Sequence, residues 1–519
     1  MNITIQTLHE SDQRDWTYET RVIEGALRLI RVSDLLPSSE CSAKIVLSEW
    51  SELDLTQKSD SFPKYAAISH CWSPSPEVQR LSAIANRPLA IDLGQGTTHM
   101  VSWHGLCQAA KAAQHLHCEF LWLDLVCLHQ RSSRDKTLQI ANMGYIYQNA
   151  EAVLVMPGGV AAVQGAEQPA SWITRAWTLQ EATLCQNTYA LHIWPLPDPR
   201  YEYNQSASKI PMFLDVQYIH GDLGMSKLTD LIHCSSGHSI RKTNIETGEI
   251  TWEPIVVRCF GDDDVIMNSL IAVRDGSTLE MRQSAAWRSI WLRTSTKPQD
   301  MVFSMMHVLG VTLDVDYSRS REDLMMELAR KSRAVPSWLD IGYSMPFDSR
   351  YGLLPVLPPF NPNRAPAYQV NGELVPVDRL LYRVSYIADF YVKILTPATS
   401  TYDGDMVCAP LFEVCCNSSG KTVVSNDLGE EAECAANLVG SYTMAIGQYK
   451  PYFGYAIKWE TPVAYTIRKS TLGIWEREVA DLAPHVPLAF IENKKKSHVR
   501  IGGSPGASIT ACDCTMEPT

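Results

Sequence analysis

Apolar and polar positions alternate in blocks along the first 200 residues. Lys64 to Trp72 (KYAAISHCW) is a short apolar run ending in polar residues, the pattern of a buried strand that delivers side chains to a sheet edge. From His104 to Leu116, the residues Leu106, Ala109, Ala110, Ala113 and Leu116 recur at helical spacing, and EFLWLDLVCL from Glu119 reads as a second buried strand. Ser132 with Asp135 three positions on resembles a capping box. The helix it opens would bury Ile140, Met143, Gly144 and Tyr147. EAVLVMPGG is a third strand stopped by Pro157 and Gly158, SWITRAWTLQEA (Ser171 to Ala182) predicts a helix, and TYALHIW from Thr188 a fourth strand. Strands alternating with helices over short links predict an α/β fold with a doubly wound parallel sheet, whose ligands sit at the carboxyl ends of the strands.

Beyond about residue 220 the period changes. DVIMNSLIAV, MRQSAAWRSIWLRTS, MVFSMMHVLG and REDLMMELARKS read as helices, with Asp300 a cap before Met301. A Pro-rich passage from Tyr351 (YGLLPVLPPFNPNRAP) reads as an extended connector. The Asn371-Gly372 hairpin signal and runs such as MVCAPLFEVCC and VAYTIRKSTLGIW then predict a β-rich C-terminal domain. The expected organisation is an N-terminal extension (1–60), an α/β domain (61–220), a helical region (221–345), and the connector with the β-rich domain (346–519).

Composition narrows the function classes. With 45% hydrophobic and 20% charged residues over 519 positions, the chain has an ordinary globular balance. A net charge of -12 offers no general counter-field for phosphate backbones, so a nucleic-acid partner is set aside. The first residues (MNITIQTLHESDQRDW) form no secretory signal, and no apolar run approaches the length of a membrane span, so no span and a cytoplasmic location are expected. Fourteen scattered cysteines are then expected to be reduced thiols.

Several side chains could carry chemistry. Asp124 interrupts an apolar strand, where an unpaired charge is costly; it is either paired structurally or faces a site. Cys127 with His129, and His70 with Cys71, suggest a Cys/His nucleophile, against the more ordinary role of buried cysteine as a small hydrophobe. The CDC at Cys512 to Cys514 lacks a second ligand pair, so no metal site is expected. No Gly-rich phosphate loop is present, and no cofactor is expected. Trp72 and Trp177 are core aromatics or ligand walls. Trp177 and Glu181, four apart, share one helix face; Glu181 is a solvated residue, a partner for Arg175, or a carboxylate aimed into the crevice.

YAAISHCWS, LWLDLVCLHQ, DKTLQIANMGYIYQNAEAVLVMPG and WITRAWTLQEA, in this order, resemble the successive blocks of the heterokaryon incompatibility (HET) domain of filamentous fungi, over about Lys64 to Cys185. The chain departs from that pattern at Ser73 (usually glycine), His129 (usually asparagine), and Ser132 and Asp135 (usually Asp and Glu). The resemblance implies a fold related to the Toll/interleukin-1 receptor (TIR) domain, a TIR-like doubly wound parallel sheet. It also implies an activity of NAD glycohydrolase type, with NAD or a related nucleotide as substrate. TIR enzymes carry their catalytic glutamate in a Trp-x-x-x-Glu-like pattern after the third strand, which falls here on Trp177 and Glu181. By that resemblance Glu181 is catalytic, and Ser69, His70, Trp72, Asp124, Cys127, His129 and Trp177 line the substrate site. Self-association and a role in fungal self/non-self recognition or cell death are implied as well. Two other readings stand beside this one: a specialised-metabolism enzyme using Asp124, Cys127 or His129 on another small molecule, and a signalling module that acts by self-association without catalysis. Packing that closes around Glu181 would favour the module.

Overall fold

A computed structural model describes residues 98–194, 212–235, 257–332, 354–370 and 405–419 without interruption, together with shorter segments between 2 and 92, 196 and 254, and 372 and 511. Ser73, Asn371 and Cys512 to Cys514 lie outside the described residues. The chain forms two compact units, the first made of Met1–Met267, Phe303–Val308 and Asp314–Asp316, the second of Asn268–Val302, Leu309–Leu313 and Tyr317–Thr519.

The first unit is organised by a nine-stranded mixed sheet. Its strands are β1 (Asn2–Thr7), β2 (Leu27–Arg31), β3 (Lys44–Trp50), β4 (Tyr65–His70), β5 (Phe120–Trp122), β6 (Ala152–Met156), β7 (Thr188–Ile193), β8 (Gln217–His220) and β9 (Leu223–Lys227). In space they run β1-β3-β2-β5-β4-β6-β7-β9-β8. The central strands β5, β4, β6 and β7 pair in parallel, and every flanking pair is antiparallel. Every residue of β4 and β6 is buried, as an apolar run between two helical layers requires. The sheet therefore extends past the 61–220 segment on both sides, drawing strands from the first 50 residues and from 217–227.

Helix α1 (Trp103–His115) links β4 to β5, α3 (Ser133–Asn149) links β5 to β6, and α4 (Trp177–Thr183) links β6 to β7. Right-handed crossovers with the spatial order second-first-third-fourth put α1 on one face of the parallel strands and α3 and α4 on the other. Consistent with this, α3 packs on α4, while α1 packs on β4, β5 and β6. Leu106, Ala109, Ala110 and Ala113 of α1 are buried as their spacing predicts, and Leu116 is the half-buried cap. Ser102 Oγ accepts from the backbone N–H of His104 and Gly105 at the start of α1. Gly105 is obligatory there, because a Cβ would lie 2.4 Å from the Val160 carbonyl oxygen of the loop after β6.

Between β5 and β7, two segments differ from the sequence expectation. The second strand stops at Trp122, and Asp124–Cys127 turns into a short helix, α2. Asp124 Oδ1 accepts from the Leu125 N–H at 2.6 Å, which favours the helical turn over an extended continuation. Likewise SWITRAWTLQEA is not one helix: a 3-10 turn at Trp172–Thr174 precedes α4, with Arg175 extended between them. Ser132 caps α3 as expected, its Oγ accepting from Asp135 N–H at 3.1 Å, but the Asp135 carboxylate bonds elsewhere.

In the second unit, Leu279–Leu292 is a helix whose Trp287 and Trp291 are fully buried, and Trp291 Nε1 donates to the Tyr368 hydroxyl at 2.9 Å. Ala367–Val370 and Glu373–Pro376 form the expected hairpin, with Gly372 at φ 85°. Among the described residues, ten strands between Ser385 and Ala511 pair into one sheet, nearly all antiparallel. Among the described residues, no helix is long and apolar enough to cross a membrane.

Candidate functional site

The parallel order second-first-third-fourth makes the gap between β4 and β6 the topological switch point, where helices leave the sheet to opposite faces and where doubly wound folds bind their ligands. Ser69 and His70 are the last two residues of β4. Asp124 follows β5 as the first residue of α2, and Trp172 and Glu181 belong to the connection after β6. The fold therefore gathers residues from three crossovers at one end of the sheet.

Ser69 Oγ donates to Glu181 Oε2 at 2.6 Å and accepts from Trp172 Nε1 at 2.8 Å. His70 Nε2 donates to Asp124 Oδ1 at 2.8 Å, and its Nδ1 lies 3.1 Å from the Cys71 carbonyl oxygen. A carboxylate and a carbonyl are both acceptors, so bonding at both nitrogens requires the doubly protonated imidazolium. Trp72 Nε1 donates to Asp124 Oδ2 at 2.6 Å, and the Asp124 backbone carbonyl accepts from Gln130 Nε2 at 2.9 Å. Asp124, whose placement the apolar run left open, is thus paired and saturated with donors while its side chain stays 13% exposed.

The two carboxyl groups are driven apart. Burial opposes the charge on Asp124, but His70 and the hydrogen bonds from His70, Trp72 and Leu125 outweigh it and hold the carboxyl below its ordinary value. Burial likewise opposes charge on His70, and the Asp124 carboxylate beside it raises the imidazole above its ordinary value. Glu181 goes the other way: burial pushes it up to about 7, with the nearby Asp124 charge adding, while the Ser69 hydrogen bond, His70 and Arg175 oppose the rise. Tyr147 of α3 adjoins Glu181; its phenol is pushed well up by burial and then by the Glu181 charge, and its hydroxyl also donates to the Ile68 carbonyl at 3.2 Å. One carboxyl is therefore fixed as an anion, and the other exchanges its proton near neutrality, the division of labour found in acid–base sites.

Cys127 and His129 are drawn away from this cluster. Cys127 is 1% exposed on α2, its thiol pushed up to about 12 by burial, and its backbone carbonyl accepts from Arg28 Nε at 2.6 Å. His129 is half-buried in the loop beyond, its backbone N–H donating to Asp135 Oδ2 at 2.8 Å. Because the chain turns helical at Asp124, the alternation that would put both side chains on one strand face does not extend to them. They lie instead by a buried ion pair, Arg28 Nη2 to Asp135 Oδ2 at 2.5 Å, in which Asp135 Oδ1 also accepts from Gly25 N–H and Gln139 Nε2 donates to the Ala26 carbonyl. Cys71 is buried with its thiol raised to about 11, chiefly by burial, and so is no ready nucleophile near neutral pH.

Trp177 opens α4 half-buried, one turn before Glu181, but the tryptophan hydrogen-bonded into the glutamate's network is Trp172. Nothing in the local pattern singles out Trp172, since nine residues is not a helical spacing and its bond to Ser69 bridges 103 positions. Among the described residues, no group of three or more His, Cys, Asp or Glu side chains could hold a metal ion.

Residues 65–169 match the family model described as heterokaryon incompatibility protein (HET). The match contains Ser69, His70, Trp72, Asp124, Cys127 and His129, and ends before Trp172, Trp177 and Glu181. No curated protein and no solved structure matches the chain.

Proposed function

We propose that the unit containing the HET match cleaves the bond between the base and the ribose in NAD or a related nucleotide, with a TIR-like site, in a fungal self/non-self or cell-death response. The observation that carries this reading is the convergence of Ser69, His70, Asp124 and Glu181 at the carboxyl ends of the parallel strands, beside the switch point. Cleavage breaks the bond from the ribose anomeric carbon to the base, and the electron pair leaves with the base. Nicotinamide departs neutral without needing a proton, so the protein has only to stabilise the positive charge left on the sugar and admit water. An ionised Glu181 serves that purpose, and it can take the proton released when water adds to the sugar. His70, with both nitrogens engaged, acts as a fixed charge rather than as a base. Half-buried Trp72 and Trp177 supply ring surface for a planar base.

A second reading is favoured by one observation: Glu181 is only 5% exposed, and its carboxylate is already hydrogen-bonded to Ser69. In that reading the unit is a non-catalytic module that signals by self-association. Incubating the purified protein with a panel of nucleotide cofactors, over a range of protein concentrations, decides between the two. Release of nicotinamide or another free base by wild type, abolished in Glu181→Gln, supports the hydrolase. Absence of any product at every concentration, with concentration-dependent assembly, supports the module.

A further inference from the structure

We propose that Trp172 is a positioning residue for Glu181, acting through Ser69: its indole N–H fixes the direction of the Ser69 hydroxyl and so determines that Glu181 receives a donor. A serine hydroxyl has one proton and two acceptor positions, whereas an indole nitrogen only donates. Ser69 Oγ has Trp172 Nε1 at 2.8 Å and Glu181 Oε2 at 2.6 Å. It must accept from the indole, and its single proton is left for the carboxyl group. With the indole N–H removed, the hydroxyl can rotate and accept from a protonated Glu181 instead, and its preference for the ionised form is lost.

The indole is held for this purpose from several sides. Trp172 is fully buried and meets the Phe260 ring edge-on, with centroids 5.6 Å apart. Its backbone carbonyl accepts from Thr178 Oγ1 at 2.8 Å, which ties the 3-10 turn to the helix that carries Glu181. The other groups that bear on Glu181 are His70 at the end of β4, Cys71 just after it, Asp124 on α2, Arg175 just before α4 and Tyr147 on α3. Trp172 adds no charge to this set, so its removal acts on Glu181 through the Ser69 hydroxyl and through packing, which the Phe260 and isosteric variants separate.

This inference rests on the reading of Glu181 as the working carboxylate, but its test needs no turnover. The carboxyl C=O stretch of protonated Glu181, identified as the infrared band missing in Glu181→Gln, is titrated in wild type, Trp172→Phe, Ser69→Ala and the double variant. One neutral hydrogen bond corresponds to a shift of about 0.5–1 pH unit. Trp172→Phe should raise the midpoint by that amount, Ser69→Ala by at least as much, and the double variant should match Ser69→Ala. Phe260→Leu loosens the packing but keeps the N–H, and should leave the midpoint unchanged. If Phe leaves too large a hole for folding, the isosteric benzothienylalanine at 172, which lacks the N–H, gives the same readout. An unmoved midpoint in the Trp172 variant, additive shifts in the double variant, or an equal shift in Phe260→Leu would overturn the relay. A wild type without turnover but with these shifts overturns the hydrolase reading and leaves the relay standing.

Discussion

Ser69 and His70, adjacent at the end of β4, bind two different carboxyl groups: Ser69 donates to Glu181 and His70 to Asp124. One strand end thus brings two carboxyl groups close enough for the Asp124 charge to bear on Glu181. The charged imidazolium falls to the carboxylate that stays ionised, and the neutral hydroxyl to the one that titrates.

The first prediction concerns the pH dependence of cleavage. Glu181 loses its proton at about 7, and the ionised form is the one proposed to act. The value of kcat/KM for NAD should therefore rise about tenfold per pH unit below 7 and level off above it, and Glu181→Gln should lie at least about 10²-fold lower without that dependence. A profile that falls as pH rises through 7 would instead make Glu181 a proton donor.

Asp124→Asn removes the partner of a nearly buried imidazolium. Below the ordinary imidazole value, where His70 is charged, the expected cost is about 3 kcal/mol or more, read as a lower urea midpoint; at higher pH the unpaired imidazole sheds its proton and the cost is smaller. Adding His70→Asn to Asp124→Asn should recover part of the loss. The stabilisation from the pair has its own pH window. His70 is raised, so its share is full below the ordinary imidazole value and is lost as pH rises through the folded one; Asp124 is lowered, so its share is full above the ordinary carboxylate value and is lost on acidification.

His192 on β7 has the opposite effect. It is 1% exposed, with Nε2 3.1 Å from Ser226 Oγ of β9, and burial pushes it down to about 4. It folds neutral, whereas the unfolded chain takes up a proton below about 6.5, so stability should fall as pH drops from there toward 4, by on the order of 3 kcal/mol. His192→Gln should flatten this part of the stability curve; a denaturation midpoint as acid-sensitive as wild type would exclude His192 as the cause.

His117→Gly should stabilise the fold. His117 is exposed at φ 58° just after α1, where the Cys118 N–H donates back to the Ala113 carbonyl at 2.9 Å, a helix end that glycine fits without a Cβ penalty. A gain of about 1 kcal/mol in thermal or urea unfolding is expected.

The parallel core was legible because its strands are buried on both faces and its helices keep their period: Tyr65–His70, Ala152–Met156 and Thr188–Ile193 fall where the apolar runs are. Asp124 was legible because a charge inside an apolar run has few reasons to be there, and His70 by its neighbour Cys71, whereas Ser69 and Glu181 stood out only through the resemblance to the HET blocks and the TIR-like pattern. The turn into α2 was not, because Leu125, Val126, Cys127 and Leu128 are all buried, and an all-buried run has the same composition whether extended or helical. The Arg28–Asp135 pair and the Trp172–Ser69 bond join positions about 100 apart in the chain, and no local period encodes such contacts.

The flanking strands of the sheet also bear on how the chain reaches this state. β2 joins the parallel core by pairing with β5, so the strands within residues 2–50 reach that core only once residues 120–122 are made, and Arg28 waits longer still for Asp135. Pairings of such sequence separation slow folding and leave strand edges open meanwhile. Until then the strands within residues 2–50 lack their place beside the parallel core, and a fusion or truncation ending before α3 would leave Arg28 with Glu49 but without Asp135.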